Sequence, residues 1–229
     1  MLRQIFITLI VIITAVKTYG QGTNHGLGSW NIITINLPGN TKHRIGGYFE
    51  AQNRNYGVVS NFYYHEEKLG VSYNLDDNSF FLIGGGRYTT YGFDAVDEGP
   101  SATENRLWEQ FTYNHYISRI KMEHRYRIEQ RWVNSAYRNR FRYRLNVFIP
   151  INKPALDPHT FFAAAFGEVF FNNNQPNLER NRFTPSLGYK FSKEFSFQAG
   201  YINQRDYDLA SSADKNYLIL TATYNILRK

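Results

Sequence analysis

The sequence predicts an all-β protein: an antiparallel transmembrane β-barrel of about twelve strands, with ten as the alternative, preceded by a signal peptide. Three observations carry this prediction. Two consecutive segments alternate strictly between charged and apolar residues, the chain begins like an exported protein, and further alternating segments recur along its 229 residues with turn residues between them. The segments and their links, the candidate site and the possible functions follow from these observations.

The alternation is clearest between Arg119 and Ile149. From Arg119 to Trp132, charged residues occupy the odd positions and mostly apolar residues the even ones, and from Tyr137 to Ile149 arginines occupy the even positions. A strand, with its period of two, separates the two sets onto opposite faces, whereas a helix mixes them. In a membrane barrel the apolar face contacts lipid and the charged face lines the interior. In an exported water-soluble β-protein the apolar face would instead form the core, so this pattern alone leaves both structures open.

The first twenty residues favour the membrane structure. Met1 to Gly20 has a basic residue, Arg3, an apolar run from Ile5 to Val16, and small residues before Gln21. This layout is typical of a secretory signal peptide, and the run is short for a spanning helix. An uncleaved N-terminal anchor remains the alternative because Lys17 follows the run. We therefore expect a signal peptide at residues 1–20, a single barrel domain at 21–229, residence in the bacterial outer membrane and contact with its lipid.

Composition narrows the choice further. No later apolar run approaches eighteen residues, so only a β-barrel could place the exported chain within lipid. The chain has no cysteine, which excludes a disulfide framework. Its formal charge of +7 invites a nucleic-acid function, but the export signal and the confinement of the basic residues to one strand face argue against it. We expect no nucleic acid among its partners.

Alternating segments can be counted along the whole chain. Eleven occur between Ser29 and Leu227, and an even number is usual for single-chain bacterial barrels. Either Gly22 to Gly28 supplies a twelfth strand or the first segment lies outside the barrel, and we favour twelve. The links alternate between tight and longer ones, which predicts short periplasmic turns at one end and long loops at the other.

Several motifs resemble one family of exported bacterial proteins. They are Trp30-Asn31, E-x-R-x-W-x-Q from Glu104, R-x-R-x-E-Q-R from Arg125, R-x-R-x-R from Arg138, Glu168 before an aromatic pair, and N-R-x-x-x-x-L-G-Y from Asn181. This combination, spread from Trp30 to Asn225, resembles the domain-of-unknown-function family DUF2490. The resemblance implies an outer-membrane barrel and brings no reaction or ligand with it.

The candidate site is the charged inner face. Arginine forks bind carboxylate or phosphate, so an arginine-lined interior predicts a place for small anionic solutes or acidic oligosaccharides. The candidate anion-binding residues are Arg106, Arg125, Arg127, Arg131, Arg138, Arg140, Arg142, Arg144 and Arg182. The acidic residues expected to meet them inside are Glu50, Glu104, Glu123, Glu129 and Glu168.

Three functions remain open from the sequence. The first is a narrow, anion-preferring channel or binding barrel. The second is a non-conducting structural or surface-interaction barrel, closed by an internal arginine–glutamate network, because ten to twelve strands leave little spare interior. The third is an outer-membrane hydrolase, which we do not favour, since no serine, histidine and carboxylate arrangement can be identified. We expect no catalytic residues, no metal and no cofactor, and we interpret the glycine run from Gly84 to Gly86 as packing.

Overall fold

The computed structural model describes residues 26–228 and shows a closed barrel made entirely of strands. The prediction of an all-β barrel is confirmed. The strands are β1 (Leu27–Leu37), β2 (Ile45–Asn55), β3 (Phe62–Asn74), β4 (Ser79–Tyr91), β5 (Pro100–Ile117), β6 (Ile120–Val133), β7 (Ala136–Pro150), β8 (Thr160–Asn172), β9 (Leu178–Lys190), β10 (Phe195–Tyr207) and β11 (Ser212–Asn225). Within these described residues, no helix is long and apolar enough to cross a membrane.

The strand count differs from the prediction of twelve or ten, because residues 26–228 form eleven strands. Neighbouring strands pair antiparallel, except that β1 closes the barrel against β11 in parallel, with Leu27 opposite Asn216 and Asn36 opposite Asn225. When consecutive strands are antiparallel, the number of strands is even only if the first and last strands also pair antiparallel. The predicted signal peptide, Met1 to Gly20, and most of the proposed extra strand, Gly22 to Gly28, lie outside the described residues.

Because β1 and β11 run parallel, the start of β1 and the end of β11 lie at opposite ends of the barrel. We call the end where β1 begins, at Leu27, the N-terminal end, and the end where β11 stops, at Asn225, the C-terminal end. The expected alternation of short and long links is not observed between these two ends. Links at the C-terminal end are residues 38–44, 75–78, 118–119, 151–159 and 191–194, and those at the N-terminal end are 56–61, 92–99, 134–135, 173–177 and 208–211.

The physical reason is that several strands continue into the expected loops. β5 begins at Pro100, whereas the polar composition of residues 92–103 predicted a loop throughout. The longest link is 151–159, at the end where tight turns were expected. The short 75–78 link is held locally, since the Asp76 carboxylate accepts the backbone N–H of Asn78 at 2.7 Å, which lowers the pKa of that carboxyl.

The β6–β7 hairpin brings the two arginine-rich faces together. Its two-residue turn, Asn134 and Ser135, has positive φ angles of 43° and 74°, as hairpin turns that match the twist of the strands require. The resulting register places Arg125 opposite Arg144 and Arg127 opposite Arg142. Like charges directly opposite each other destabilise a sheet, so these pairs need carboxylates nearby.

The outer surface is apolar on all sides. Every strand exposes at least one large apolar side chain at an outward position: Ile33, Ile45, Leu69, Ile83, Leu107, Ile128, Phe141, Phe161, Leu187, Phe197 and Leu218. Toward the N-terminal end, outward positions of β2 to β5 also include exposed polar residues, namely Asn53, Glu67, Arg87 and Asn105, and Glu109 is exposed near the middle of β5. The charged side chains that are buried lie on the opposite, inward face of the strands, so the polarity of a water-soluble fold is reversed.

Gly84 has a packing role that predicts the effect of enlarging it. A methyl group there would lie 2.5 Å from the buried Trp108 ring and 2.8 Å from the carbonyl oxygen of Leu69. We expect Gly84→Ala to lower the free energy of unfolding by about 1–3 kcal/mol, the usual cost of overpacking, as measured by urea unfolding followed by tryptophan fluorescence. Gly85→Ala is the control, because its methyl meets the flexible Leu107 side chain at 3.2 Å. Equal effects of the two substitutions would contradict this packing role.

Candidate functional site

An internal cavity of about 610 Å³ runs through the barrel, with wall residues near both of its ends. The arginines expected at the site that line it are Arg106, Arg125, Arg127, Arg131, Arg140, Arg142, Arg144 and Arg182. Among the expected acidic residues, Glu50, Glu104 and Glu123 also line the cavity. Glu129 and Glu168 are buried against the arginines that form its wall.

Glu129 is the first of two buried carboxylates on which arginines converge. Its side chain is fully buried, and it accepts hydrogen bonds from Arg140 Nε at 2.8 Å and Arg142 Nη1 at 2.5 Å. Guanidinium nitrogens of Arg127 and Arg106 lie 3.6 and 4.0 Å from its oxygens. One carboxylate thus compensates charges supplied by three strands, β5, β6 and β7.

Glu168, on β8, is the second such carboxylate. It accepts hydrogen bonds from Arg125 at 2.6 Å, Arg142 at 2.7 Å and Arg144 at 2.9 Å, and Arg182 lies 3.5 Å away. Arg142 contacts both carboxylates and so joins the two clusters. We call Glu129, Glu168 and the arginines around them the arginine–glutamate network; its arginines are Arg106, Arg125, Arg127, Arg140, Arg142, Arg144 and Arg182.

Further ion pairs extend this network toward the N-terminal end. Glu104 binds Arg106 at 2.6 Å and also pairs with Arg131, which lies 3.3 Å from Glu179. Glu179 in turn accepts a hydrogen bond from Arg140 at 2.9 Å. Glu179 was not among the residues that we expected at the site, because its place at the start of β9 reads as a loop in the sequence.

A separate set of ion pairs lies on β2 and β3. Lys68 pairs with both Glu50 and Glu66, and Arg54 lies 3.6 Å from Glu66. Across the barrel, Asp206 pairs with Arg180 and, at 3.1 Å, with Lys215. Except for Glu50, sequence reasoning left these residues out of the site. Their signal was present, since Arg54 shares the parity of Glu50 and Lys68 that of Glu66.

Aromatic rings fill much of the remaining space between the arginines. The guanidinium carbons of Arg142 and Arg182 lie 4.5 and 4.7 Å from the centroid of the fully buried Phe170 ring. Arg54 stacks on Trp30 at 3.6 Å, and Arg106 on Tyr88 at 3.6 Å. Arginine over an aromatic face is attracted by the ring quadrupole. These inward rings were not among the residues expected at the site, which were all charged.

Besides Glu50, which belongs to the separate set on β2 and β3, two of the expected site residues lie apart from the network. Arg138 is exposed near the N-terminal end, two residues into β7, and among the ion pairs of residues 26–228 none includes it. The short 134–135 link leaves it at the rim. Glu123 lies toward the C-terminal end, where its nearest cation is Lys121 at 3.7 Å rather than an arginine.

Positive charge exceeds negative charge along the cavity. The basic residues of the wall are Arg54, Lys68, Arg106, Lys121, Arg125, Arg127, Arg131, Arg140, Arg142, Arg144, Arg180, Arg182, Lys190 and Lys215. The carboxylates that line it or pair with these groups are Glu50, Glu66, Glu104, Glu123, Glu129, Glu168, Glu179 and Asp206. Several arginines must therefore share one carboxylate. Chemically, this arrangement can accept further negative charge.

Two arginines of the network have hydrogen-bond donors that could bind a further anion. Arg125 and Arg144 each donate through Nη2 to Glu168, while within the described part of the chain their buried Nε atoms have no hydrogen-bond partner. A buried donor without a partner costs free energy, which an oxyanion that reaches it would recover.

Two neighbouring histidines lie outside the arginine–glutamate network. His115 and His124 lie on outward positions, with ring centroids 5.1 Å apart, and His124 Nδ1 is 2.9 Å from the hydroxyl of Tyr143. Within residues 26–228, no three or more His, Asp or Glu side chains are grouped so that they could hold a metal ion. The expectations of no catalytic residue, metal or cofactor stay predictions.

Comparison with known proteins gives one match. The model of the family described as "Protein of unknown function (DUF2490)" matches residues 27–215, most of the chain. No curated protein and no solved structure is significantly similar to this chain.

Proposed function

The chain belongs to the DUF2490 family, and from that premise we propose that it is an outer-membrane β-barrel that admits or binds small anions in its arginine-lined interior. The observation that carries this proposal is the excess of basic over acidic side chains along the internal cavity. Rings or tracks of arginine select anions in pores.

Residence in a membrane is supported by the outer surface. Large apolar side chains are exposed on all eleven strands, and Leu69, Ile83 and Leu187 each expose about two thirds of their surface, at 65%, 68% and 65%. Soluble monomers rarely expose contiguous apolar patches beyond a few hundred Å². A barrel whose belt is apolar and whose interior is polar matches the pattern of outer-membrane proteins.

The width of the interior favours a narrow passage or binding chamber over an open pore. Glu129, Arg140 and Phe170 are fully or almost fully buried inside the barrel, so the network occupies much of its cross-section. Barrels of this size lie between those that side chains fill and those that hold a water channel. We infer that an anion is passed or held beside the network.

The second candidate, a non-conducting structural barrel, is favoured by the same network. Arg142 ties Glu129 to Glu168, and Arg125 on β6 crosses to Glu168 on β8, so ion pairs brace the wall from inside. In that case the positive excess would serve only to hold the barrel closed. Conductance separates the two candidates.

Ion selectivity is the direct test. In planar bilayers with asymmetric potassium chloride, we expect the full-length wild type to carry a steady, anion-selective current. The variant Arg125→Gln/Arg144→Gln should lower the chloride-to-potassium permeability ratio below that of the wild type, because it removes two cations of the cavity wall whose Nε donors are unused. Glu168 keeps Arg142 and Arg182 as partners, so the fold should tolerate the change.

The matched control is Arg138→Gln, which removes the same charge at the exposed rim. It should leave selectivity close to that of the wild type. A wild type that inserts but carries no current would support the structural barrel, and a double variant as selective as the wild type would refute the role of this arginine pair.

A further inference from the structure

The half of the cavity toward the C-terminal end forms a distinct chamber. Its floor is the pair Arg125 and Arg144, which lie near the middle of β6 and β7, and its walls include Asn146, Phe166, Thr184 and Gln198. We call this part of the cavity the C-terminal chamber. The N-terminal side of the network is filled by further ion pairs, whereas the chamber is lined mainly by neutral side chains.

The two guanidinium groups at the floor of the chamber have hydrogen-bond donors without an acceptor among the described residues. The side chains of Arg125 and Arg144 retain 16% and 21% of their surface exposed, although both contact Glu168. Each Nε donor is buried, and within residues 26–228 each is without a hydrogen-bond acceptor. Two adjacent guanidinium edges of this kind suit the oxygens of one carboxylate or phosphate.

A third unsatisfied group lies beside this pair. Thr184 Oγ1 is buried and, among the described residues, lacks a hydrogen-bond partner. Thr184 is opposite Phe166 in the β8–β9 register, and the guanidinium of Arg144 lies 4.1 Å from the Phe166 ring centroid. Two of these orphaned polar atoms, Arg144 Nε and Thr184 Oγ1, therefore belong to residues beside the Phe166 ring. Native structures contain few such groups, and each calls for an explanation.

The wall of the chamber is partly apolar and partly polar. The rings of Phe148 and Phe162 are 6.1 Å apart between centroids and form an apolar surface. Gln198 lies next to this surface, since its side chain and the Phe162 ring both border Gly188, and Ser196 and Thr223 supply hydroxyl groups. A ligand that is matched to this wall has one apolar face and several hydroxyl groups, which describes a sugar ring.

The mouth of the chamber carries charges of both signs and is partly covered. Lys121 and Glu123 line it 3.7 Å apart, and Lys190 donates a hydrogen bond to the carbonyl oxygen of Leu156 at 2.8 Å. This bond holds the 151–159 link so that Leu156 also lines the cavity.

We propose that the C-terminal chamber binds a monosaccharide that carries an oxyanion, either a carboxylate or a phosphate. The oxyanion lies on Arg125 and Arg144, and the ring lies against the phenylalanine surface, beside the neighbouring hydroxyl and amide groups. The whole cavity, about 610 Å³, is within the ~300–1,000 Å³ typical of small-molecule sites. This inference rests on the proposed anion-binding function and narrows it to a class of ligand.

Calorimetric titration of the purified full-length barrel in detergent tests the proposal. Four probes are compared: glucuronate, glucose 6-phosphate, glucose and acetate. We expect at least one acidic sugar to bind about tenfold or more tighter than both glucose and acetate, since it alone combines charge-assisted hydrogen bonds with ring contacts. The stronger of the two acidic sugars identifies the oxyanion.

Two variants locate the site. Arg125→Gln/Arg144→Gln should lose the preference for acidic over neutral sugar, while Arg138→Gln should keep it. Thr184→Val should weaken the binding of the acidic sugar several-fold. Because it breaks no ion pair, it tests the site even if the double variant fails to fold.

The outcomes distinguish this inference from the proposed function. If acetate binds as tightly as the acidic sugars, or if the variants bind like the wild type, the sugar chamber is refuted while an anion-selective barrel stands. If no probe binds and the bilayers carry no current, both fail.

Discussion

Glu129→Gln is expected to lower the free energy of unfolding by about 3–5 kcal/mol, the usual cost of removing one partner from a buried ion pair. The side chain is fully buried, and guanidinium nitrogens of Arg106, Arg127, Arg140 and Arg142 all lie within 4.0 Å of its carboxylate. Glutamine keeps the shape but leaves these charges without their shared counterion. The measurement is the urea midpoint of the barrel in detergent or lipid, followed by tryptophan fluorescence.

Glu98→Gln is the matched control for this substitution. Glu98 is exposed in the 92–99 link. We expect its replacement to change stability by no more than about 0.5 kcal/mol, as surface substitutions usually do. If Glu129→Gln were equally mild, the arginines would have to be compensated by something other than this carboxylate.

Part of the arginine–glutamate network could be predicted from the sequence. Alternation alone placed the arginines of β6 and β7 on one face, because strand parity is a local property. The two-residue turn at Asn134 and Ser135 then fixes the register, so that Arg125 and Arg144 meet. Both facts could be read from the residues between 119 and 149.

Contacts between distant strands could not be read in the same way. Arg125 reaches Glu168 across two strand spacings, from β6 to β8, and Arg131 on β6 reaches Glu179 on β9. Such contacts depend on the tilt and stagger of strands in the closed barrel, which no single strand encodes. The same limit applies to closure, since the parallel pairing of β1 with β11 determines the odd count.

The inward aromatic residues form an intermediate case. Trp108 shares the parity of Arg106 in the E-x-R-x-W-x-Q motif, and Phe170 that of Glu168, so their direction followed from the sequence. Their role did not, because aromatic enrichment was attributed to the lipid interface. The structure instead places Phe170 beneath Arg142 and Arg182, where a ring can offset part of the cost of burying charge.

Because the polarity of the barrel is reversed, substitutions inside it and substitutions on its outer belt affect stability for different reasons. Inside, stability depends on keeping the few carboxylates that several arginines share. Outside, it depends on the solvent, because an apolar belt is favourable in lipid and unfavourable in water. A substitution on the belt therefore tests the proposed membrane residence directly.

Val71→Arg is expected to destabilise the lipid-embedded barrel by about 1–3 kcal/mol, since Val71 lies between the middle of β3 and its end at Asn74, and the cost of arginine on the lipid face falls from the bilayer midplane toward the interfaces. Val71 is 61% exposed, and its outward neighbours in register are Gly47 and Ile83, so no carboxylate opposite it can compensate the new charge. Urea unfolding in lipid vesicles measures the loss.

Val59→Arg introduces the same charge in the 56–61 link, where the valine is 92% exposed, and should be nearly neutral. The comparison is decisive because a water-soluble barrel predicts no such difference between the two positions. In water, arginine at Val71 would cover part of an apolar patch and improve solubility, with little loss of stability. A large penalty at Val71 that appears only in lipid, with none at Val59, requires that the belt face hydrocarbon. Equal effects at the two positions would remove the membrane from the proposal and leave the arginine-lined cavity to be explained in a soluble protein.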